Sequence, residues 1–298
     1  MQDIINFTNC KQFGGEARFD ENNEIQRLTL KIQYNGLCYK LRFGPHYFYH
    51  CISEYLGCSI YSALGIPAQK VLLGIYECAG EKLPAVACQC FNVDNLYLMT
   101  MDEILYEQQN TNFGENILNE VCALEQQQDF DAHELKQRFW QMFVVDAYIG
   151  VEKRLEDNWG CLFDRSTNRI IGLAPVFNCY SGFCSDRLDA DAELKKIFLG
   201  QKIDSWFSLY DDTGYTIDNK PVSYFEFLSR TNNIDCLTAL AEITKKIDKI
   251  DVNKIIDGIE LLSKLEKNNF NKYLTLRKEL ILKKAQQINP TYRMLVKN

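Results

Sequence analysis

The stretch YIGVEKRLEDNWG, residues 148–160, separates two regions with different sequence patterns. The residues before it, 132–150, are apolar at helical spacing and predict a central buried helix. Its apolar stripe comprises Leu135, Phe139, Phe143 and Ala147, with Trp140 and Val144 beside them. The residues after it, 159–177, read as a short β-hairpin. The stretch is therefore predicted to be a charged loop between a buried helix and a hairpin.

The first hundred residues predict mostly β-strands. Residues 28–43 form two alternating segments joined by Asn35-Gly36, a strong signal for a tight hairpin turn. Residues 69–78 and 83–91 give a second pair of strands, separated by Ala79-Gly80. Between the two pairs, residues 49–65 have apolar side chains at helical spacing and end at a glycine. The predicted order is sheet, one helix, sheet.

Beyond about residue 98 the pattern becomes helical, and from about Asp189 onward nearly every segment predicts helix. We therefore expect an α+β fold in two lobes. Residues 1–98 would form a strand-rich N-lobe, an antiparallel sheet with one helix. Residues 99–298 would form a mainly helical C-lobe, with a hairpin at 158–178 beside the charged loop. Such a layout resembles that of protein kinases.

Several motifs, in one order along nearly the whole chain, are similar to those of the HipA-like serine/threonine kinases. They are FGG at 13–15, CISEYLGCSIYSALG at 51–65, LLGIY at 72–76, FWQMFVVDAYIG at 139–150, NWG at 158–160, LAPVFNC at 173–179 and YFEFLSRTNNIDCLTAL at 224–240. The resemblance implies a bilobal, protein-kinase-like (HipA-like) fold. It also implies ATP as the cofactor.

The catalytic loop of that family reads approximately I-G-N-x-D-R-H-x-x-N-W-G. Here Ile149-Gly150 and residues 158–160 match both ends, so the resemblance places Lys153 where the family has its catalytic Asp. Arg154 is retained, and Asn158 stands at the position of a metal ligand. The family's metal-binding Asp in APxFD is replaced by Asn178. The two asparagines argue against Mg²⁺ binding, because this hard cation prefers carboxylate oxygens.

The resemblance assigns nucleotide-binding roles to residues of the first lobe as well. Arg42 falls at the family's strand lysine, and Glu54 at its carboxylate partner. Gly14 and Gly15 occupy the place of a glycine-rich loop over the phosphates, although a glycine pair is also common in ordinary turns. For Arg42 and Glu54 an ordinary ion pair is the favoured alternative to a phosphate-binding role.

These substitutions predict a pseudokinase, because loss of a general base alone costs on the order of a hundred- to ten-thousand-fold in rate. Its work would then be binding or regulation. The alternative is an active, atypical serine/threonine kinase that uses the loop's other acids, Glu152, Glu156 and Asp157. A further hypothesis is that Lys153 and Arg42 neutralise phosphate without a metal. Lys153 can also be a solvated loop lysine, and both asparagines can be turn or capping residues.

Composition narrows the range of partners. The net charge of −7 disfavours direct binding of nucleic acid or anionic membrane. The twelve cysteines lie in apolar settings and lack a CxxC pair, so we expect buried free thiols. The three histidines do not suggest a zinc site. We expect a cytoplasmic protein without a membrane span. The resemblance implies a protein partner, whether a related kinase, a regulator or an antitoxin, and allows for secretion into a host.

Overall fold

A computed structural model describes residues 4–19, 25–92, 95–107, 116–126, 130–152, 154–190, 195–196 and 212–297. The first six strands are β1 (Ile5–Asn6), β2 (Lys11–Phe19), β3 (Ile25–Tyr34), β4 (Leu37–Phe43), β5 (Val71–Cys78) and β6 (Glu81–Gln89). They form one sheet in the order β1-β5-β6-β4-β3-β2. All neighbouring pairs are antiparallel except β1 and β5, which run parallel. The predicted strand-rich first part is thus confirmed, with β1 and β2 as additions.

The two predicted hairpin turns occur where the sequence places them. Asn35 and Gly36, between β3 and β4, have φ values of 49° and 79°. Ala79 and Gly80, between β5 and β6, have φ values of 51° and 85°. Positive φ at both central positions is the geometry of a type I′ turn, whose twist matches that of the flanking strands.

Helix α1 (Phe48–Ala63) packs against this sheet and against the second part of the chain. It is the helix predicted between the strand pairs, and Gly65 follows its end with a φ of 78°. The middle of α1 approaches a later segment closely, because a Cβ added at Gly57 would lie 2.5 Å from Cys179 Cβ. Glycine therefore allows α1 to contact the segment that follows the hairpin.

The predicted hairpin after the charged loop is present as β8 (Gly160–Asp164) and β9 (Arg169–Leu173). A further strand, β7 (Leu96–Thr100), pairs with β8 and completes a three-stranded sheet. The expected lobe boundary between residues 98 and 99 falls inside β7, whose ladder partner lies in the second part of the chain.

Helix α4 (Ala132–Ile149) is the central helix predicted by the apolar stripe, and most of its side chains are buried. The other helices described after α1 are α2 (Met101–Glu107), α3 (Ile117–Glu125), α5 (Ser185–Ala190), α6 (Tyr224–Arg230), α7 (Ile234–Ile247), α8 (Val252–Asp257), α9 (Lys264–Arg277), α10 (Lys284–Ile288) and α11 (Pro290–Leu295). A π-helical turn, Lys278–Lys283, joins α9 to α10. One apolar core cluster includes α1, α4 and the helices around them. Within the described residues, no helix has the length and apolar character needed to cross a membrane.

The expectation of nearly continuous helix after Asp189 is wrong in one place. Strands β10 (Asp212–Ile217) and β11 (Lys220–Ser223) form an antiparallel hairpin. Asp218 and Asn219 make its turn, with φ values of 51° and 61°. These residue types tolerate the left-handed conformation, so this pair is a turn signal that helical periodicity alone does not reveal.

The expectation of buried free thiols holds in part: all twelve cysteines are free of disulfides. Five of them are not buried, however: Cys10, Cys38, Cys78 and Cys90 are partly exposed and Cys122 is exposed. No group of three or more potential metal ligands occurs among the described histidines, cysteines and carboxylates.

Candidate functional site

The charged loop begins at a sharp helix end. Gly150 follows α4 in a left-handed conformation, with a φ of 71°, and its N–H bonds the Asp146 carbonyl at 2.7 Å. A Cβ at Gly150 would lie 2.0 Å from the Tyr273 hydroxyl oxygen. Both the backbone conformation and the close contact require glycine here. The chain therefore leaves α4 at a defined point and direction.

Arg154 anchors the loop from within the core. Its guanidinium lies 2.5 Å (Nε) and 3.1 Å (Nη2) from the two carboxylate oxygens of Asp146 on α4. Its Nη1 donates to the carbonyl oxygens of Phe177 at 2.5 Å and Asn158 at 3.2 Å. The Tyr61 hydroxyl donates to Asp146 Oδ1 at 2.7 Å. One side chain thus ties together α4, the loop and the segment after β9.

Arg154 is fully enclosed, and its charge depends on this pairing. Burial alone would lower the pKa of Arg154, but the adjacent carboxylate of Asp146 raises it well above its ordinary value. The guanidinium is therefore charged, and the buried pair is satisfied by bidentate contact and by carbonyl acceptors. The sequence pattern showed only that Arg154 is retained and did not reveal this anchoring role.

Asn158 and Asn178 are brought together. Asn178 Nδ2 donates to Asn158 Oδ1 at 2.9 Å, and Asn158 Nδ2 donates to Asp157 Oδ1 at 2.5 Å. Asn158 ends a 3₁₀ turn, Glu156–Asn158, whereas Asn178 lies beyond β9 in a left-handed conformation with a φ of 57°. The amides therefore bond to each other at the two positions where the resemblance expects metal ligands. Lys153, expected beside them, lies outside the described residues.

Glu54 of α1 is fully buried behind these asparagines. Burial raises its pKa, while Arg42, Arg154 and the backbone N–H groups of Asn178 and Cys179 oppose that shift. Its Oε2 has no hydrogen-bond partner in the described part of the chain. A buried carboxylate oxygen without a partner is costly, and such groups often mark functional sites.

Arg42, on β4, lies near Glu54 without direct ion-pair contact among the described side chains. Burial alone would lower the pKa of Arg42, but attraction to surrounding acidic groups, Glu54 among them, raises it. Its guanidinium is thus charged and faces a cavity. The ordinary ion pair considered from the sequence does not form in this structure.

Two cavities meet at Asn178. The first has a volume of about 380 Å³, and its lining includes Arg42, Asn178 and residues 90–92, which follow β6. We call it the interlobe cavity. The second has a volume of about 370 Å³, and its lining includes Asn158, Asn178, Glu152 and His50. We call it the loop cavity. Arg42 and Asn158 therefore line two neighbouring cavities that share Asn178.

Gly14 and Gly15 line neither cavity. They lie in β2, at the edge of the six-stranded sheet, where the register with β3 shifts between Gln12 and Gly15. A Cβ at Gly15 would lie 2.5 Å from Leu30 Cδ2 and 2.9 Å from the Thr29 carbonyl oxygen. Close packing between strands accounts for this glycine, and nucleotide contact by either glycine stays a prediction.

His50 is a feature that sequence reasoning missed. Its Nδ1 lies 2.5 Å from Asp189 Oδ2 and its Nε2 lies 2.7 Å from Asp186 Oδ1. Burial alone would lower its pKa, but these two hydrogen bonds raise it to about 9. Both aspartates belong to α5, more than 130 residues along the chain, so no local spacing could have indicated the contact. The imidazolium joins the start of α1 to α5.

A sheet with one packed helix, a helical second part and a loop-and-hairpin site between them define a protein of the kinase-like class. No protein-family model matches the chain. The serine/threonine-protein kinase CtkA of Helicobacter pylori J99 is 30% identical over 296 residues, covering 93% of this chain and 86% of that protein. The chain therefore belongs to the family of CtkA, and its fold is that of the HipA-like kinases.

Solved structures agree with this assignment. The crystal structure of the Helicobacter pylori proinflammatory kinase CtkA gives a TM-score of 0.81 at 27% identity and covers 99% of both chains. A chain of the Shewanella oneidensis MR-1 complex of HipA, HipB and operator DNA gives a TM-score of 0.51 at 10% identity. That match covers 92% of this chain and 65% of the other, and it shows the fold alone.

Proposed function

We propose that this kinase-fold protein is a pseudokinase that acts as a binding or regulatory module, with the interlobe cavity available to a nucleotide. The observation that supports this most directly is the 2.9 Å hydrogen bond between Asn178 Nδ2 and Asn158 Oδ1. It joins two neutral amides at the positions that the family resemblance assigns to metal ligands.

The donor set there does not fit Mg²⁺. Magnesium demands near-octahedral oxygen coordination and is usually bound through carboxylates and substrate phosphates. Asn158 has a single side-chain oxygen, and it already accepts a bond from Asn178. Asn178 directs its NH₂ group, a donor, toward that oxygen. The two metal-ligand positions therefore lack the anionic oxygens that two-metal phosphoryl transfer requires.

The residue at the position of the family's catalytic Asp also supports the loss of phosphoryl transfer. Lys153, placed there by the family pattern, carries a positive charge and cannot accept the proton of an attacking hydroxyl. Two required roles are thus altered in one loop and the segment beside it. A chain with this combination retains the fold and loses the chemistry.

A protein is the partner that this proposal implies, either a related kinase, a regulator or an antitoxin. The net charge of −7 disfavours direct contact with nucleic acid or anionic membrane. We propose a cytoplasmic site of action. Delivery into a host rests on the family resemblance alone.

The test is a phosphotransfer assay with ATP and Mg²⁺ or Mn²⁺, following both autophosphorylation and transfer to a serine/threonine protein substrate. Helicobacter pylori CtkA serves as the active reference, and the double variant Lys153→Asp/Asn178→Asp serves as the restored form. We expect no transfer by the wild-type chain and measurable transfer by the double variant. Transfer by the wild type at a rate near that of CtkA would show that the chain is a kinase.

An active, atypical serine/threonine kinase is the second candidate, and Glu152 is the residue that favours it. Of the loop's three other acids, only Glu152 lines the loop cavity with both asparagines. Burial raises the pKa of Glu152, which suits a general base. Its Oε1 lies 3.8 Å from Arg187 Nη2. Glu156 is buried, and Asp157 is bonded to Asn158. Activity abolished by Glu152→Gln and kept by Asp157→Asn would support this candidate.

A further inference from the structure

Three cationic side chains line the interlobe cavity on one face of the sheet. Lys31 on β3 and Lys40 on β4 are direct cross-strand partners, and Arg42 follows Lys40 by two residues. Paired residues in an antiparallel ladder point to the same face, as do residues two apart along a strand. The three charges are therefore placed together by the strand register, and flexible loops are not needed to bring them to the cavity.

Within the described part of the chain these charges have no direct ion-pair partner, and the buried Glu54 attracts Arg42 without contacting it. None of the three side chains forms an ion pair with a described carboxylate, and Glu103 is the one carboxylate in the cavity lining. Glu103 is also engaged elsewhere, because its Oε2 accepts a hydrogen bond from Thr100 N at 2.8 Å. The cavity wall is thus locally cationic in a chain whose net charge is −7. Such local charge in a concave site raises the concentration of anionic ligands.

The rest of the lining suits a nucleoside. Phe91 and Phe177 lie in edge-to-face contact, with ring centroids 5.4 Å apart, and form an apolar wall. Side-chain amides supply neutral hydrogen-bonding groups: they are Gln69, Gln89, Asn92 and Asn178. A cavity with an aromatic wall, amides and clustered cations combines groups for a base with groups for several phosphates.

We infer that Lys31, Lys40 and Arg42 bind the phosphate chain of a nucleoside polyphosphate directly and replace the divalent cation that a kinase would use. This rests on the proposed loss of a working metal site at Asn158 and Asn178. A bound triphosphate needs compensating positive charge, which a kinase supplies with Mg²⁺. The amides of Asn158 and Asn178 do not suit that cation. Two lysines and an arginine supply it from fixed positions on adjacent strands.

The inference predicts the direction in which Mg²⁺ changes the affinity for ATP. Free ATP carries more negative charge than its magnesium complex, so direct binding to cations should be at least as tight in EDTA as in Mg²⁺. A conventional kinase site gives the opposite order. Binding should also weaken as salt is added, because the lysines are exposed to solvent.

The experiment is isothermal titration calorimetry of the full chain with ATP, once in EDTA and once in Mg²⁺, with inorganic tripolyphosphate and adenosine as separate probes. We expect ATP to bind in EDTA, tripolyphosphate to compete with it, and adenosine to bind more weakly. The variant Lys31→Gln/Lys40→Gln should lose at least about tenfold in affinity. The control Lys245→Gln/Lys246→Gln makes the same charge change on the last turn of α7 and should bind as wild type.

Three results would overturn the inference: ATP affinity that rises with Mg²⁺, unchanged affinity in the Lys31→Gln/Lys40→Gln variant, or no ATP binding at all. The phosphotransfer assay, run on the same samples, separates this inference from the proposed function. Transfer together with metal-free binding would refute the pseudokinase and support the cationic site. Neither transfer nor binding would support the pseudokinase and refute the cationic site.

Discussion

The side-chain amide of Asn178 donates a hydrogen bond to the side-chain oxygen of Asn158 at 2.9 Å, across 20 positions of sequence. The contact joins the end of the charged loop to the segment that follows β9. Asn178 holds a left-handed backbone conformation, with a φ of 57°. The pair thus combines an amide bridge with a backbone geometry that few residues adopt without strain.

The backbone conformation of Asn178 predicts unequal effects of two substitutions. Asn178→Gly loses the hydrogen bond but tolerates the positive φ, whereas Asn178→Ala loses the bond and is strained as well. We expect the alanine variant to have a free energy of unfolding about 1 kcal/mol below that of the glycine variant. Urea unfolding measures the difference. Asn158→Ala removes the bond from the other side and should cost about 1 kcal/mol; equal stability of the alanine and glycine variants would contradict the assigned backbone.

The buried pair of Arg154 and Asp146 predicts a large loss of stability when one partner is removed. Arg154→Leu leaves the enclosed Asp146 carboxylate without its cationic partner, which should cost about 3–5 kcal/mol in the free energy of unfolding. The double variant Asp146→Asn/Arg154→Leu should lose less than the sum of its single variants. Denaturant titration of all three forms a double-mutant cycle.

Arg230 provides the matched control for that cycle. It pairs with Glu226 at 2.6 Å on the exposed face of α6. Arg230→Leu should change stability by about 0.5 kcal/mol or less, since exposed ion pairs contribute little. A similar cost for Arg154→Leu and Arg230→Leu would show that the loop is not anchored through the core.

The position of His50 between two aspartates predicts pH-dependent stability. Its pKa in the folded chain, about 9, exceeds the ordinary value of 6.5, so the folded state favours the protonated form. The stabilisation is complete below pH 6.5 and is lost as the pH rises through 9, with an upper limit on the order of 3 kcal/mol.

Unfolding free energies of wild type and His50→Gln across this pH range measure the effect. The difference between them should shrink toward alkaline pH. Asp186→Asn removes the more exposed of the two partners and should move the midpoint to lower pH. A wild-type stability that is flat between pH 6.5 and 9 would disprove the charged bridge between α1 and α5.

The close approach of Cys38 and Cys90 predicts that oxidation joins them in a disulfide. Their Sγ atoms are 2.8 Å apart, and Cys90 N donates to the Cys38 carbonyl oxygen at 2.9 Å. Hydrogen peroxide should convert the two thiols to a disulfide, with peroxide reduced to two waters. Because the thiolate is the nucleophile and burial raises the pKa of Cys90 to about 12, the reaction should be slow at neutral pH and faster at alkaline pH.

Peptide mass spectrometry of the oxidised chain detects this cross-link. Cys122→Ser removes an exposed thiol and should leave the cross-link intact, whereas Cys38→Ser should abolish it. Partition of Cys90 into disulfides with several other cysteines would show that the pair is not preorganised.

Local signals were sufficient for much of the fold. Asn35-Gly36 and Ala79-Gly80 mark turns through their own backbone preferences, and the spacing of apolar residues identifies α1 and α4. The β10–β11 hairpin was missed because its Asp218-Asn219 turn is a weaker signal among strongly helical neighbours. Strand β1 was missed because two residues of parallel pairing leave no periodic pattern.

The candidate site likewise has features that the sequence indicated and features that only the structure revealed. Motif order assigned Arg42, Glu54, Asn158 and Asn178 to family positions, because the matches on either side keep the register. It did not reveal that Arg154 anchors the loop or that His50 meets α5. Each of those contacts depends on packing between elements that are distant along the chain.

The sequence by itself therefore determined the elements, their order and the residue types at each family position. Only the tertiary structure decided which groups meet: the bond between Asn158 and Asn178, the buried Arg154 pair and the cations that share the interlobe cavity. The physical reason is the distance along the chain over which each kind of interaction acts. Backbone propensity and apolar periodicity act over a few residues, whereas hydrogen-bond partners and local charge depend on how the completed elements pack.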